Sequence, residues 1–286
     1  MKIGFVGLGV MGFPMAGHLA AAGHDVTVFN RDSKKAQRWI AQHPGAIAES
    51  PRQAAQGAEA VMICVGDDPH VREVALGDNG ILAGLDRGAV VVDHTTTSAR
   101  LPRAMAETAD QLGIAWIDAP VSGGQAGAEN ARLTIMAGGD ASAYQKVETA
   151  LACYAHRARL MGGSGAGALT KMVNQICLAG LIQGLSEALA FAERSGLDGE
   201  AVVEVISGGA AQSWQMDNRA ASMLADQFDF GFAVEWMRKD LGHALDEARQ
   251  LQASLPVTAL VDQFYADLMR DRGSRQDTSS LIRRLR

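Results

Sequence analysis

The first thirty residues constrain this chain more than any other stretch. Lys2 to Val6 reads as a short buried strand, and Gly7-Leu8-Gly9-Val10-Met11-Gly12 follows it directly. Met11, Met15, Leu19 and Ala22 then recur at spacings of three and four, the period of a helix. A second apolar run, Asp25 to Phe29, ends at Asn30-Arg31. Strand, glycine turn, helix and strand in about thirty residues are the context that gives a GxGxxG motif its meaning. Gly7 permits the tight turn, Gly9 lets a pyrophosphate approach the backbone, and Gly12 lets the helix pack close to the strand. The unpaired N–H groups and positive end of the helix then face the phosphates. These observations predict a dinucleotide site formed by Gly7, Leu8, Gly9, Val10, Met11 and Gly12; the alternative is a glycine-rich turn in an unrelated βαβ unit.

At 286 residues the chain can hold one large domain or two, each with its own core. No segment approaches the unbroken apolar run of about 20 residues expected of a membrane span. A net charge of −6 offers no basic footprint for nucleic acid. Cys64, Cys153 and Cys177 are too few and too scattered for a disulfide framework or a zinc site, and read as reduced residues. Glycines interrupt the apolar N-terminus too early for a signal peptide, so the expected location is the cytoplasm. The histidines lack ligand spacing, and no metal is expected.

Beyond Arg31 the alternation continues. Ser33 to Gln42 reads as a helix, and Glu59–Val65, Ala89–Asp93 and Ile114–Asp118 read as buried strands. These strands end in loops: Gly66 to Pro69, His94 to Thr97, and Ala119 to Gly124. Helical segments are expected near 70–76, 98–112 and 140–151, and further strands at Leu133–Ala137 and Ala155–Met161. Such alternation predicts a parallel sheet with helices on both faces and ligands bound beyond the carboxyl ends of its strands. Near the glycine cluster 162–167 strand signals almost disappear. Ala168 to Arg194 carries an unbroken helical pattern, roughly 40 Å long at the usual rise. Helices near 199–208, 213–225, 232–252 and 256–271 follow, and then a basic tail, 272–286, which reads as a solvated or docking end. The fold class expected is α/β: a Rossmann-type doubly wound sheet (1–162), then a long interdomain helix and an all-α C-terminal domain for substrate and oligomerisation (163–286).

Three constellations carry chemistry. At the end of the second strand an NAD site usually places an acidic residue against the ribose hydroxyls. Here Asn30 and Arg31 stand there, with Lys34 and Lys35 close behind, which suits a 2′-phosphate and favours NADP over NAD. Asp32 opposes this unless it turns away or caps the next helix. Lys171 lies among apolar residues near the start of the long helix, with Asn174 and Gln175 on its face at i+3 and i+4. It is either a general acid/base or a lysine snorkelling from a helix end. Asp118 to Gly124 offers Ser122 and the N–H groups of Gly123 and Gly124, a nest for a small carboxylate or a simple tight turn. Lys239-Asp240 reads by pattern alone as a solvated helix face.

As a set, Gly7 to Ala16, Asp118 to Gly124, Gly165 to Asn174 and Lys239 to Leu241 resemble the 3-hydroxyisobutyrate dehydrogenase (β-hydroxyacid dehydrogenase) family over almost the whole chain. The resemblance implies that Lys171 is the catalytic acid/base and that Ser122, Gly123 and Gly124 hold the substrate carboxylate. Asn174 or Gln175 would touch substrate, Thr96 would contact the nicotinamide ribose, and Lys239 would face the cofactor. The chain departs from the family pattern at Gly66-Asp67 and at His94-Thr95-Thr96. That histidine would tune the site or merely pack. The reaction implied is interconversion of a small 3-hydroxy acid with its semialdehyde or oxo acid using NADP(H). Rival readings are an imine reductase, which Lys171 opposes, and a non-catalytic nucleotide-binding scaffold. The apolar helical half suggests a homodimer or homotetramer, and Trp214, Met216 and Phe232 are candidates to shape the substrate pocket.

Overall fold

The computed structural model describes residues 1–286 and divides into two compact units, Met1–Lys171 and Met172–Arg286. In the first unit the elements are β1 (Lys2–Val6), α1 (Gly12–Ala21), β2 (Asp25–Phe29), α2 (Ser33–Ile40), β3 (Ala46–Ile47), α3 (Pro51–Ala55), β4 (Ala60–Ile63) and α4 (Asp68–Ala75). They continue with β5 (Val90–Asp93), α5 (Arg100–Asp110), β6 (Ala115–Asp118), β7 (Val121–Ser122), α6 (Gly124–Glu129), β8 (Leu133–Gly138), α7 (Ala141–Leu151) and β9 (Ala155–Gly162). Then α8 runs from Ala166 to Arg194.

The sheet has the order β3-β2-β1-β4-β5-β6-β8-β7, with β9 paired to β8. Its first six strands are all parallel, so this is the doubly wound arrangement expected, with the strand order reversing between β1 and β4. The central strands β4 and β5 are buried throughout, which is why they read as continuous apolar runs instead of alternating ones. Successive residues still serve opposite cores. Met62 and Val92 join Phe5, Leu19 and Trp39 on one face, while Val61, Ile63 and Val91 join Val71, Leu101 and Met105 on the other. Short elements went unread. β3, α3, β7 and α6 each span two to six residues, too short for a periodic signal.

The second unit is helical: the rest of α8, then α9 (Gly199–Ile206), α10 (Trp214–Leu224), α11 (Val234–Leu251) and α12 (Pro256–Arg270). Ala179, Ile182, Met237, Leu241 and Tyr265 form one core; Leu185, Leu189, Met216, Met223 and Phe228 form another. One expectation needs correction. The C-terminal tail is not solvated along its length. Thr278–Arg284 forms a 3₁₀ helix whose first five residues are buried, fastened by Asp277. That carboxylate accepts from the N–H groups of Phe232 and Ser279 and pairs with Arg219 at 3.3 Å. Small hydroxyl residues made this segment look polar, yet they pack around a buried anchor. Although no apolar run in the chain is unbroken over such a length, α8 is long and apolar enough to span a membrane by length and composition, with a window of mean hydropathy 1.4. Half of that window is buried within the protein, and the helix buries Lys171, Gln175, Gln183 and Ser186.

Candidate active site

The glycine loop has the geometry that a pyrophosphate requires. Gly7 has φ +101°, and a Cβ there would lie 2.2 Å from the Cys64 carbonyl oxygen. A Cβ on Gly12 would lie 2.0 Å from the Gly7 carbonyl oxygen, so α1 can start this close to β1 only with glycine. Around Gly9 there is nothing within 4 Å of such an atom. The loop is therefore closely packed at its ends and open in its middle. Val10 is exposed, Met11 stands directly before α1, and the first turn of that helix carries no acidic side chain. Leu8 is buried and its N–H donates to Asn30 Oδ1 at 2.8 Å, joining the loop to the end of β2. Asn30 Nδ2 in turn donates to the Asp32 carbonyl, and Asp32 Oδ1 accepts from the Lys34 N–H as the cap of α2. The open question about Asp32 thus has an answer: its carboxylate is turned into the helix start. Arg31 projects outward, 82% exposed, with its guanidinium 4.0 Å from Glu73.

The adjoining strand ends are built on carboxylates, half-buried at Asp67 and Asp68 and buried at Asp93. Asp67 caps α4, while Asp68 accepts from the N–H and hydroxyl of Ser98. Asp93 ends β5 and accepts from the Thr95 N–H at 2.9 Å; Thr95 Oγ1 accepts from the Val65 N–H. Burial pushes the Asp93 carboxyl up to about 7, against the pull of its Thr95 hydrogen bonds. Thr95 and Thr97 are buried, which leaves Thr96 as the half-buried member of the loop. His94 is buried too. Its Nδ1 lies 2.7 Å from the Ala119 carbonyl and its Nε2 lies 2.9 Å from the Tyr154 hydroxyl. Nδ1–H donating to the carbonyl leaves Nε2 to accept from Tyr154, and burial holds the imidazole down at about 4. The histidine at this departure from the family pattern is therefore a neutral packing residue that links two strand-end loops.

After β6 the chain passes through Ala119 and Pro120 to Ser122, half-buried, and then to Gly123 (φ +129°) and Gly124 (φ +62°), both exposed. Asp118 itself turns inward. Its Oδ1 accepts from the Gly165 N–H and its Oδ2 from the Ala168 N–H, each at 2.8 Å, at the start of α8. Sequence reasoning missed this contact, although a carboxylate just before one loop and a glycine cluster just before the helix were both visible. Lys171 follows in the second turn of α8, 7% exposed.

Within the second unit, Asn174, Gln175, Asp240 and Lys239 form a relay. Asn174 Nδ2 donates to Gln175 Oε1 at 2.8 Å, and Gln175 Nε2 donates to Asp240 Oδ2 at 2.6 Å. Lys239 Nζ lies 3.2 Å from Asp240 Oδ1 and above the Trp236 ring. Lys239 is therefore largely covered and ion-paired, not the solvated helix face that pattern alone suggested. Asp240, 2% exposed, is the residue that organises this group, a role that its place beside Lys239 in the sequence does not disclose. Of the three candidate pocket residues, Met216 is buried in the core with Leu185 and Met223, while Phe232 packs against the other core of this unit. Trp214 stays half-exposed beneath the Arg219 guanidinium.

Residues 2–163 match the family described as the NAD binding domain of 6-phosphogluconate dehydrogenase. Residues 165–285 match the one described as NAD-binding of NADP-dependent 3-hydroxyisobutyrate dehydrogenase. The chain belongs to the β-hydroxyacid dehydrogenase family. It is similar to the 2-hydroxy-3-oxopropionate reductase of Escherichia coli, 36% identical over all of this chain and 97% of that protein. The 3-hydroxyisobutyrate dehydrogenase of Pseudomonas aeruginosa is 34% identical over 92% of this chain and 91% of its own. Among solved structures, Mycobacterium tuberculosis 3-hydroxyisobutyrate dehydrogenase with L-serine superposes with a TM-score of 0.90 at 31% identity, covering 99% of this chain and 98% of that one. Members of this family are NAD(P)-dependent oxidoreductases acting on CH–OH donors, and that is the class of this chain.

Proposed function

We propose that this protein interconverts a small 3-hydroxy acid and its semialdehyde or oxo acid, with NADP(H) as the preferred cofactor. The observation that carries the reading is Lys171, buried in the second turn of α8, whose start is held by the residue that opens the 118–124 loop. Burying a lysine to this extent is costly even where its ammonium has partners, and calls for a reason. General acid/base chemistry supplies one. When bound, the nicotinamide supplies the hydride. Lys171 then donates a proton to the developing alkoxide, and accepts it back in the oxidative direction. Ser122 and the N–H groups of Gly123 and Gly124 hold the substrate carboxylate, and Asn174 orients the reacting oxygen. In this reading Gln175 braces Asn174, its oxygen accepting from that amide and its nitrogen donating to buried Asp240.

The cofactor is accommodated by the open backbone at Gly9, by Gly7, Leu8, Val10, Met11 and Gly12 around the pyrophosphate, and by Thr96 at the ribose. Asn30 with the outward Arg31 favours a 2′-phosphate, since the neighbouring carboxylate of Asp32 is occupied as a helix cap. Lys239 completes the cofactor end. In this reading residues 1–162 form the cofactor domain, and 163–286 supply substrate contacts and self-association. Val173, Leu181 and Phe191 of α8, with Val257 and Leu260 of α12, are exposed apolar residues suited to burial in a homodimer or homotetramer. The three free cysteines suit a reducing compartment, the cytoplasm.

The test is Lys171→Ala, assayed on a panel of short semialdehydes and 3-hydroxy acids. Turnover should fall about 10²- to 10⁴-fold with NADPH binding retained. Near-wild-type turnover removes Lys171 from the chemistry. No turnover by the wild-type protein on any panel member, with NADPH bound, favours a scaffold instead.

A further inference from the structure

We propose that Asp118 is a positioning residue: its buried carboxylate seats the start of α8 on the sheet and so fixes Lys171 relative to the 119–124 loop. The inference rests on Lys171 being the acid/base. A helix N-terminus presents N–H groups that its own turns cannot satisfy. Gly165, immediately before α8, has no side chain with which to cap it. Asp118 performs that task from a strand 47 to 50 residues away, one oxygen accepting from Gly165 and the other from Ala168. Its negative charge also faces the positive end of the longest helix in the chain. Burial pushes this carboxyl above its usual range, and the N–H groups of Gly165, Ala168 and Gly167 pull it back.

Two glycines shape the seat. A Cβ on Gly167 would lie 2.4 Å from the Met136 carbonyl oxygen and 2.5 Å from that of Asp118. A Cβ on Gly138 would lie 2.6 Å from the Gly167 nitrogen and 2.7 Å from Asp118 Oδ1. Gly138 is also the residue that pairs with Asp118 between β6 and β8. The helix thus enters against bare backbone at a point the sheet holds rigid, and only glycines at both positions allow that approach. Lys171 lies three residues beyond Ala168, about 4.5 Å along the helix axis. The carboxylate loop leaves from Asp118 in the opposite chain direction. The carboxylate clamp and the proton donor therefore share a single anchor. A displacement of 1 Å between such groups can cost about 10²-fold in rate.

The test is Asp118→Asn, which keeps the shape but turns one acceptor into a donor facing a donor. Turnover should fall about 10²-fold, while the Kd for NADPH, read by fluorescence titration, stays within about twofold. A merely structural role would lower both together. The same substitution in a Lys171→Ala background should cost less than about threefold more, because residues acting as one unit are not additive. An equal cost in both backgrounds overturns the proposal. Near-wild-type turnover in Lys171→Ala alone overturns the acid/base reading instead, so the two failures are distinguishable. If Asp118→Asn does not fold, Gly138→Ala crowds the same seat with the charge intact and should lose turnover in the same way. Wild-type turnover in that variant counts against the proposal. Amide exchange in the wild-type protein needs no variant: slow exchange is expected for the Gly165 and Ala168 N–H groups, and rapid exchange removes the seat.

Discussion

The Leu8 N–H donates to Asn30 Oδ1 at 2.8 Å, so the glycine loop and the end of β2 are held together by the side chain that replaces the acidic residue of an NAD site. A carboxylate at position 30 could accept the same bond, so what Asn30 changes is charge more than shape. Asp32 is already engaged with the Lys34 N–H, so in the proposed reading the outward Arg31 is the charge that would meet a 2′-phosphate. Arg31→Ala should therefore lower kcat/KM for NADPH by roughly tenfold, the loss of one charge-assisted contact, and leave that for NADH nearly unchanged. Asn30→Asp should shift the preference towards NADH, keeping the bond from the Leu8 N–H while losing the donor to the Asp32 carbonyl. Equal losses with both cofactors in the Arg31 variant would count against a 2′-phosphate contact.

Gly9 and Gly12 belong to one motif but answer to different constraints. A methyl on Gly12 meets the Gly7 carbonyl at 2.0 Å, whereas a methyl on Gly9 meets nothing within 4 Å. Gly12→Ala should lower stability by about 1–3 kcal/mol, visible as a reduced Tm without cofactor. Gly9→Ala should leave that Tm unchanged and weaken NADPH binding, because the space it fills is where the pyrophosphate would approach in the proposed reading. A Tm loss in Gly9→Ala would show that its freedom serves the fold instead.

How far the chain could be read in advance follows from the same distinction between local and distant contacts. The β1–α1–β2 unit was legible because its glycines, periodicity and turn lie within thirty residues. So were the buried runs of β4 and β5 and the length of α8. The seat that Asp118 makes for α8 was not, because it joins residues 47 to 50 apart. For the same reason the C-terminal segment looked solvated until Asp277 was seen to hold it. Lys171 and Gln175 were recognised as one helix face, yet only Asp240 on α11 decides that the glutamine amide is already used.

Asn174 and Gln175 should separate cleanly in function. Gln175 is 1% exposed and donates to a carboxylate that is itself buried. Gln175→Ala deprives Asp240 of that donor and should cost about 1–3 kcal/mol of stability, read as a fall in Tm. Asn174 is only partly buried. Asn174→Ala should reduce turnover and raise substrate KM with little change in Tm. The reverse assignment of the two phenotypes would give the substrate contact to Gln175.

His94 and Asp93 are neighbours whose burial acts in opposite directions on the pH dependence of stability. The His94 imidazole is held at about 4 in the folded protein, below its ordinary 6.5, so between these values the unfolded chain binds more protons. Its contribution is fully present above 6.5 and is lost as pH falls towards 4, by roughly 3 kcal/mol at about 1.4 kcal/mol per unit. Asp93, raised to about 7 from 3.8, has the opposite sign: the folded protein binds more protons between those values, and stability falls as pH rises through them. In the wild-type protein the two slopes offset each other between pH 4 and 6.5. His94→Phe keeps the Asp93 slope and removes the other. It should be less stable than wild type at pH 7, because the Tyr154 hydroxyl and the Ala119 carbonyl lose their partner. That deficit should shrink steadily as pH falls to 4. Thermal unfolding of both proteins across this range measures it, and a constant difference in Tm would mean that His94 is not held neutral by burial.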